Sequence, residues 1–179
     1  MKKYIALLRG INVGGNSKVE MTKLREVFES LGFQNVSTYI NSGNVIFESD
    51  AKEAKGLSRK IERALEKAFG FAIKTLVREK KDLDAICKAV PPAWKNGADQ
   101  KTDVLFLWDE FDKKATLDLL AINEKVDHLQ YISGAIVWNI ERKHYNQSGM
   151  RKFIGTVVYK NMTARNINTV RKLDALMKN

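Results

Sequence analysis

The sequence predicts an α+β protein of two ferredoxin-like (split βαβ) halves in tandem, the second degenerate. Three observations predict it. Apolar periodicity over residues 1–90 reads β-α-β-β-α-β, the split βαβ order. A Pro- and Gly-bearing stretch follows, and after it the same order partly recurs. The expected organisation is residues 1–90 as the first half, 91–101 as a linker and 102–179 as the second half with a C-terminal helix.

The run Tyr4–Arg9 is short and apolar, as in a central strand. It superficially resembles a signal peptide, but its apolar stretch is too short and ends in Arg, so it is expected to be a buried first strand. Gly10–Lys18 is a glycine-rich loop. Met21, Leu24, Val27, Phe28 and Leu31 then fall at helical spacing. Ser17 and Glu20 have capping-box spacing, and Met21 is an equally fair start. Gly32 is placed to end the helix in a left-handed cap. Val36–Ile40 and Val45–Glu48 read as strands around Asn41-Ser42-Gly43-Asn44, residue types that tolerate positive φ. Ala54–Phe69 carries an apolar stripe of Leu57, Ile61, Ala64, Leu65 and Ala68, with Lys55, Arg59, Arg63 and Lys67 outside, interrupted by Glu62 and Glu66. Gly70-Phe71 repeats the Gly32-Phe33 exit. Ile73–Val77 is a fourth strand, and Leu83–Val90 is a helix stopped by Pro91-Pro92.

Beyond the linker, Val104–Trp108 reads as a strand and Asp112–Asn123 as a helix. Leu129–Ile132 and Ala135–Ile140 form a hairpin around Ser133-Gly134. Met150–Tyr159 reads as a helix, and Ile167, Val170, Leu173, Leu176 and Met177 mark a last one. The final strand of this half is expected to be missing or reduced to Met162–Arg165.

Composition narrows the chemistry. The chain has 179 residues, 31 Lys+Arg against 21 Asp+Glu, and a net charge of +10. Such an excess favours anionic partners, nucleic acid or phosphorylated small molecules, and also serves solubility. No apolar run is long enough to span a bilayer, so no membrane association and a cytoplasmic location are expected. The single cysteine, Cys87, excludes an internal disulfide and reads as a buried structural thiol. His128 and His144 do not form a ligand pair, and no metal or cofactor is expected. Serine elbow, Cys-His pair, HExxH and clustered carboxylates are all absent from the sequence.

The split βαβ topology brings the loop after strand one and the turn between strands two and three to one sheet edge. There Arg9, Asn12, Gly14, Gly15 and Lys18 would meet Asn41, Ser42 and Asn44. Backbone N–H groups, a helix N-terminus and cations together suit an anion. Gly and Asn are equally the residues that turns require. The loop lacks the lysine after its second glycine that a phosphate loop needs, and its spacing fails G-x-G-x-x-G. A second patch is Thr163–Thr169, where Asn166 is placed to cap the last helix. Arg165 beside it either helps hold an anion or pairs with a carboxylate. A third, His144–Lys152, offers Ser148 as a cap. Tyr39 and Tyr131 occupy corresponding places in the two halves. Trp108 and Trp138 read as core, and Trp94 as the exposed aromatic.

The runs Leu7–Gly15, Met21-x-x-Leu24, Thr38–Phe47 and Thr163–Leu173 resemble the bacterial family called "domain of unknown function 1697". The resemblance runs nearly end to end. It implies an α+β fold of ferredoxin-like halves, no assigned activity and no established catalytic residues. Ala164 stands where a second Thr is common in the family, and Ile167 where an aromatic is common. Three readings follow: a binding module for a phosphate-bearing ligand (RNA or nucleotide), an enzyme acting on a small anionic metabolite at the same edge, and a protein-interaction module.

Overall fold

A computed structural model describes residues 1–13 and 17–178. The chain is α+β, with two four-stranded antiparallel sheets and several helices. It divides into two compact units, Met1–Lys81 and Asp82–Asn179.

In the first unit the order is β1 (Lys2–Leu8), α1 (Met21–Ser30), β2 (Gln34–Tyr39), β3 (Asn44–Ser49), α2 (Ala54–Phe69) and β4 (Thr75–Glu79). The strands lie side by side as β2-β3-β1-β4. Period-2 alternation sends Tyr4, Ala6 and Leu8 into one core with Val45, Phe47 and Val77. The helices fill that face with Leu24 and Phe28 from α1 and Leu57, Ile61 and Leu65 from α2. Phe47 lies at the centre, 4.5 Å from the Phe33 ring and 5.4 Å from Phe28. Ile5 and Leu7, alternating with these, are fully buried too, as the unbroken apolar run of β1 requires. Gly32 and Gly70 leave α1 and α2 at φ +81° and +79°, a conformation that costs glycine nothing.

Helix α3 (Lys80–Ala89) leads into the second unit. That unit contains β5 (Gln100–Leu107), β6 (His128–Ile132), β7 (Ala135–Glu141), α4 (Val157–Lys160), β8 (Met162–Asn166) and α5 (Ile167–Lys178). Its strands take the order β6-β7-β5-β8. Leu105, Leu107, Ile136, Trp138 and Ile140 form a core with Leu120, Met150, Phe153 and Val158. Helix α5 packs on β5 and β8.

The final strand, expected to be missing or reduced to Met162–Arg165, is the short strand β8, Met162–Asn166, which pairs with β5 from Asp103↔Asn166 to Leu107↔Met162 and completes the sheet. Two expectations for this unit need correction. The helix expected over Asp112–Asn123 is two 3-10 stretches, Asp109–Phe111 and Lys114–Leu119. Thr116 Oγ1 donates at 2.6 Å to the Phe111 carbonyl, a backbone acceptor that a helix would use, and Asp112 bonds instead to the β6–β7 turn, accepting from Gly134 N at 2.7 Å. The helix expected over Met150–Tyr159 is a 3-10 turn, Gly149–Lys152, followed by the single turn α4. Gly155 separates them at φ +90°, and Thr156 caps α4 through the Tyr159 N–H at 3.1 Å.

Asp127 ties these irregular segments together. It is 5% exposed and accepts from Asn123 N, Gly149 N, Trp138 Nε1 and Ser148 Oγ. The stretch 91–99 is anchored rather than loose. Arg171 donates to the carbonyls of Trp94 and Pro91, Asn168 to that of Asn96, and Arg142 to that of Gly97.

Candidate functional site

The loop leaving β1 and the turn joining β2 to β3 are neighbours. Leu8 N donates to the Gly43 carbonyl at 2.8 Å. A Cβ on Gly43 would stand 2.7 Å from Leu8 Cβ and 2.8 Å from Ile11 Cδ1, and its φ is +75°, so only glycine fits there. Asn12, itself at φ +54°, is the clamp between the segments. Its Nδ2 donates to the carbonyls of Asn41 and Val19, both at 3.0 Å, and its Oδ1 accepts from Val19 N at 2.8 Å. The Asn12 amide is therefore spent on holding the edge together.

Asn44 has the same fate. It is fully buried, and its Nδ2 donates to the Tyr39 carbonyl and to Ser42 Oγ, both at 2.9 Å. The turn itself is Ile40–Gly43, one residue earlier than the sequence suggests. Ile40 lies in the left-handed region at φ +52° and is 49% exposed, an unusual state for a β-branched residue. Asn41 is exposed and Ser42 half-buried. Gly14 and Gly15 lie outside the described residues.

The Asn12 bonds to Val19 place the start of α1 at this edge, because Val19 is two residues ahead of Met21. The capping box does not form. Glu20 is the N-cap and gives no side-chain hydrogen bond, while Ser17 contributes its backbone carbonyl to Asn12 N at 3.1 Å. Among the described residues no side chain caps the first turn of α1. Lys18 is exposed beside it. Arg9 is half-buried, and its N–H donates to the Lys74 carbonyl at 2.9 Å. That bond brings in Lys74, an exposed cation that sequence reasoning missed. The signal was available: in a split βαβ order the entry to the fourth strand returns to the same edge.

Arg165 and Asn166 belong to the second unit. Arg165, on β8, is 8% exposed, and its Nη1 donates to Thr163 Oγ1 at 3.0 Å and the Ala164 carbonyl at 2.8 Å. Burial pulls its guanidinium down to about 10. Asn166 caps α5, its Oδ1 accepting from Thr169 N at 2.9 Å. Ser148 accepts from Met150 N at 3.0 Å. Of the tryptophans, Trp138 is core, while Trp108 and Trp94 are half-buried. Cys87 is half-buried, and burial pushes its thiol up to about 11, so it stays protonated at neutral pH. Among the described residues no three His, Cys, Asp or Glu side chains group to hold a metal ion, and no helix is long and apolar enough to cross a membrane.

The chain is similar to a solved structure of the conserved bacterial protein SP0830 from Streptococcus pneumoniae. The two are 29% identical, the match covers 98% of each chain, and the TM-score is 0.84. The acetolactate synthase small subunit from Thermotoga maritima aligns at 17% identity over 93% of this chain and 97% of that one, with a TM-score of 0.23. No curated protein matches at a significant level. The family model described as "Protein of unknown function (DUF1697)" matches residues 1–138, and by that match the chain belongs to this family.

Proposed function

We propose that the protein is a cytoplasmic binding module for a phosphate-bearing ligand, RNA or nucleotide, held at the β1-loop edge of the first unit. The observation that carries this reading is the start of α1, without a side-chain cap among the described residues and fixed by the Asn12 clamp beside exposed Lys18. Free backbone donors, the positive end of a helix dipole and adjacent cations are the elements of an anion site. Arg9, Lys18, Asn41, Ser42 and Lys74 are the proposed contacts, with Gly14 and Gly15 in the same loop. Asn12 and Asn44 position the edge from within. Arg165 and Asn166 stay as a separate proposal, a second anion contact at the start of α5.

In this reading both units are copies of one ferredoxin-like plan, 1–90 and 102–179, joined through 91–101. Corresponding bonds support it. Leu8 N meets the Gly43 carbonyl in the first unit, and Leu107 N meets the Gly134 carbonyl in the second. Arg9 N meets Lys74 O, and Trp108 N meets Asn161 O. The second unit carries a tryptophan and Asp112 where the first has Arg9 and its loop, so the first is the one suited to an anion.

The test is thermal shift with pyrophosphate, nucleoside diphosphates and short RNAs at low salt. A native-state ligand at a hundredfold excess over its Kd stabilises by about 2.7 kcal/mol. Lys18→Ala should weaken binding roughly threefold to tenfold, and Glu20→Gln, which removes the carboxylate at the N-cap, should strengthen it. No shift with any of these ligands would discard the reading. A protein-interaction edge is the second reading, favoured by Val13 and Ile40, 69% and 49% exposed on either side of the clamp. It predicts that Val13→Ser leaves anion binding unchanged while abolishing a partner complex.

A further inference from the structure

We infer that the partner is an extended single-stranded nucleic acid, whose phosphodiester backbone runs from the α1 edge along a basic groove on α2. This inference rests on the anion-binding reading of the edge and names its ligand class.

The groove has a volume of about 460 Å³ and is lined by Leu31, Gly56 and Ala64 with Arg59, Lys60, Arg63 and Lys67. Four cations and no carboxylate line it. The spacing follows from the helix. Arg59, Arg63 and Lys67 recur every fourth residue, about 6 Å apart along the axis, and Gly56 to Lys67 spans about 16 Å. Arg59, Arg63 and Lys67 are exposed and have no carboxylate partner among the described residues. Of the two glutamates that interrupt the basic face of α2, Glu62 accepts from Thr75 N at 2.8 Å, and Glu66 is exposed but does not line the groove.

Lys60 is held in place: its Nζ donates to the Leu31 carbonyl at 2.9 Å and lies 5.1 Å from the centroid of Phe33. At the far end of α2, Lys23 Nζ lies 5.1 Å from the centroid of Phe69. Lys23 belongs to the first turn of α1, so positive charge continues from the end of α2 to the edge where Lys18 stands.

A mononucleotide is too short to use this length of charge. A chain of phosphates uses it, and Arg forks match phosphate oxygens. No exposed aromatic lines the groove, so bases do not stack in it and binding there is independent of sequence. An acidic peptide finds no sheet edge and no apolar anchor pocket in this lining.

The experiment is fluorescence anisotropy with labelled oligouridylates of about four and about sixteen nucleotides, a mononucleotide, and polyglutamate, over a chloride series. The long RNA should bind at least tenfold tighter than the short one. Arg59→Ala with Arg63→Ala and Lys67→Ala should abolish that difference, lower the salt slope by about two, and leave the short ligand unaffected. Lys18→Ala should weaken both lengths. Binding of the mononucleotide without any gain from length overturns the groove and leaves the edge reading standing. No binding of any ligand at low salt overturns both. Polyglutamate binding as tightly as the long RNA overturns the nucleic-acid assignment.

Discussion

Asp127 shows how much one side chain organises. Burial pushes its carboxyl up, but two backbone N–H donors, the Ser148 hydroxyl and the Trp138 indole outweigh this and hold it below the usual carboxylate range. The folded state therefore binds its proton less readily than the unfolded chain. Its stabilising contribution is present above the unfolded value of about 3.9 and is lost as pH falls below that. Denaturant titrations from pH 6 to 3 should show this loss. Asp127→Asn should cost about 2–3 kcal/mol at pH 7, because an amide cannot accept four donors, and should flatten that interval of the profile. Asn12 is the counterpart at the loop edge: three hydrogen bonds from one amide join residues 12, 19 and 41. Neither role is legible in the sequence. An aspartate before His128 and an asparagine in a glycine-rich loop look like ordinary surface residues until their partners are known.

At the scale of elements, regular helices and strands of the first unit were legible because one signal dominated each. The stripe of Leu57, Ile61 and Leu65 sets α2 at its observed bounds, and Gly70 ends it. The second unit departs where a local side-chain bond competes with the helical ladder, as at Thr116, and where Gly155 interrupts it. Two glycines separate these regimes. A Cβ on Gly149 would fall 1.7 Å from the Ala121 carbonyl oxygen, so Gly149→Ala should cost about 3 kcal/mol or more and disrupt the packing of the 3-10 segments. Gly56→Ala meets open space in a helix and should stabilise by about 0.5–1 kcal/mol. Parallel urea melts of the two variants check both signs.

For the whole molecule, the excess of 31 basic over 21 acidic side chains is a term in stability as well as in binding. Like charges repel in the folded state more than in the expanded chain, and salt screens them over about 8 Å at physiological strength. Raising sodium chloride from about 0.02 to about 0.3 M should raise the Tm by a few degrees. A falling Tm would show that surface pairs such as Arg25–Glu29 and Lys88–Asp84 outweigh the repulsion. The sequence by itself determined the α+β class, the strand and helix order of the first unit and the charge, since periodicity and composition are local quantities. Only the tertiary structure decided which amides are spent. It engaged Asn12 and Asn44 in internal hydrogen bonds, left α1 without a side-chain cap among the described residues and brought Lys74 to the edge. Hydrogen-bond partnership depends on residues far apart in the chain, and no local pattern specifies it.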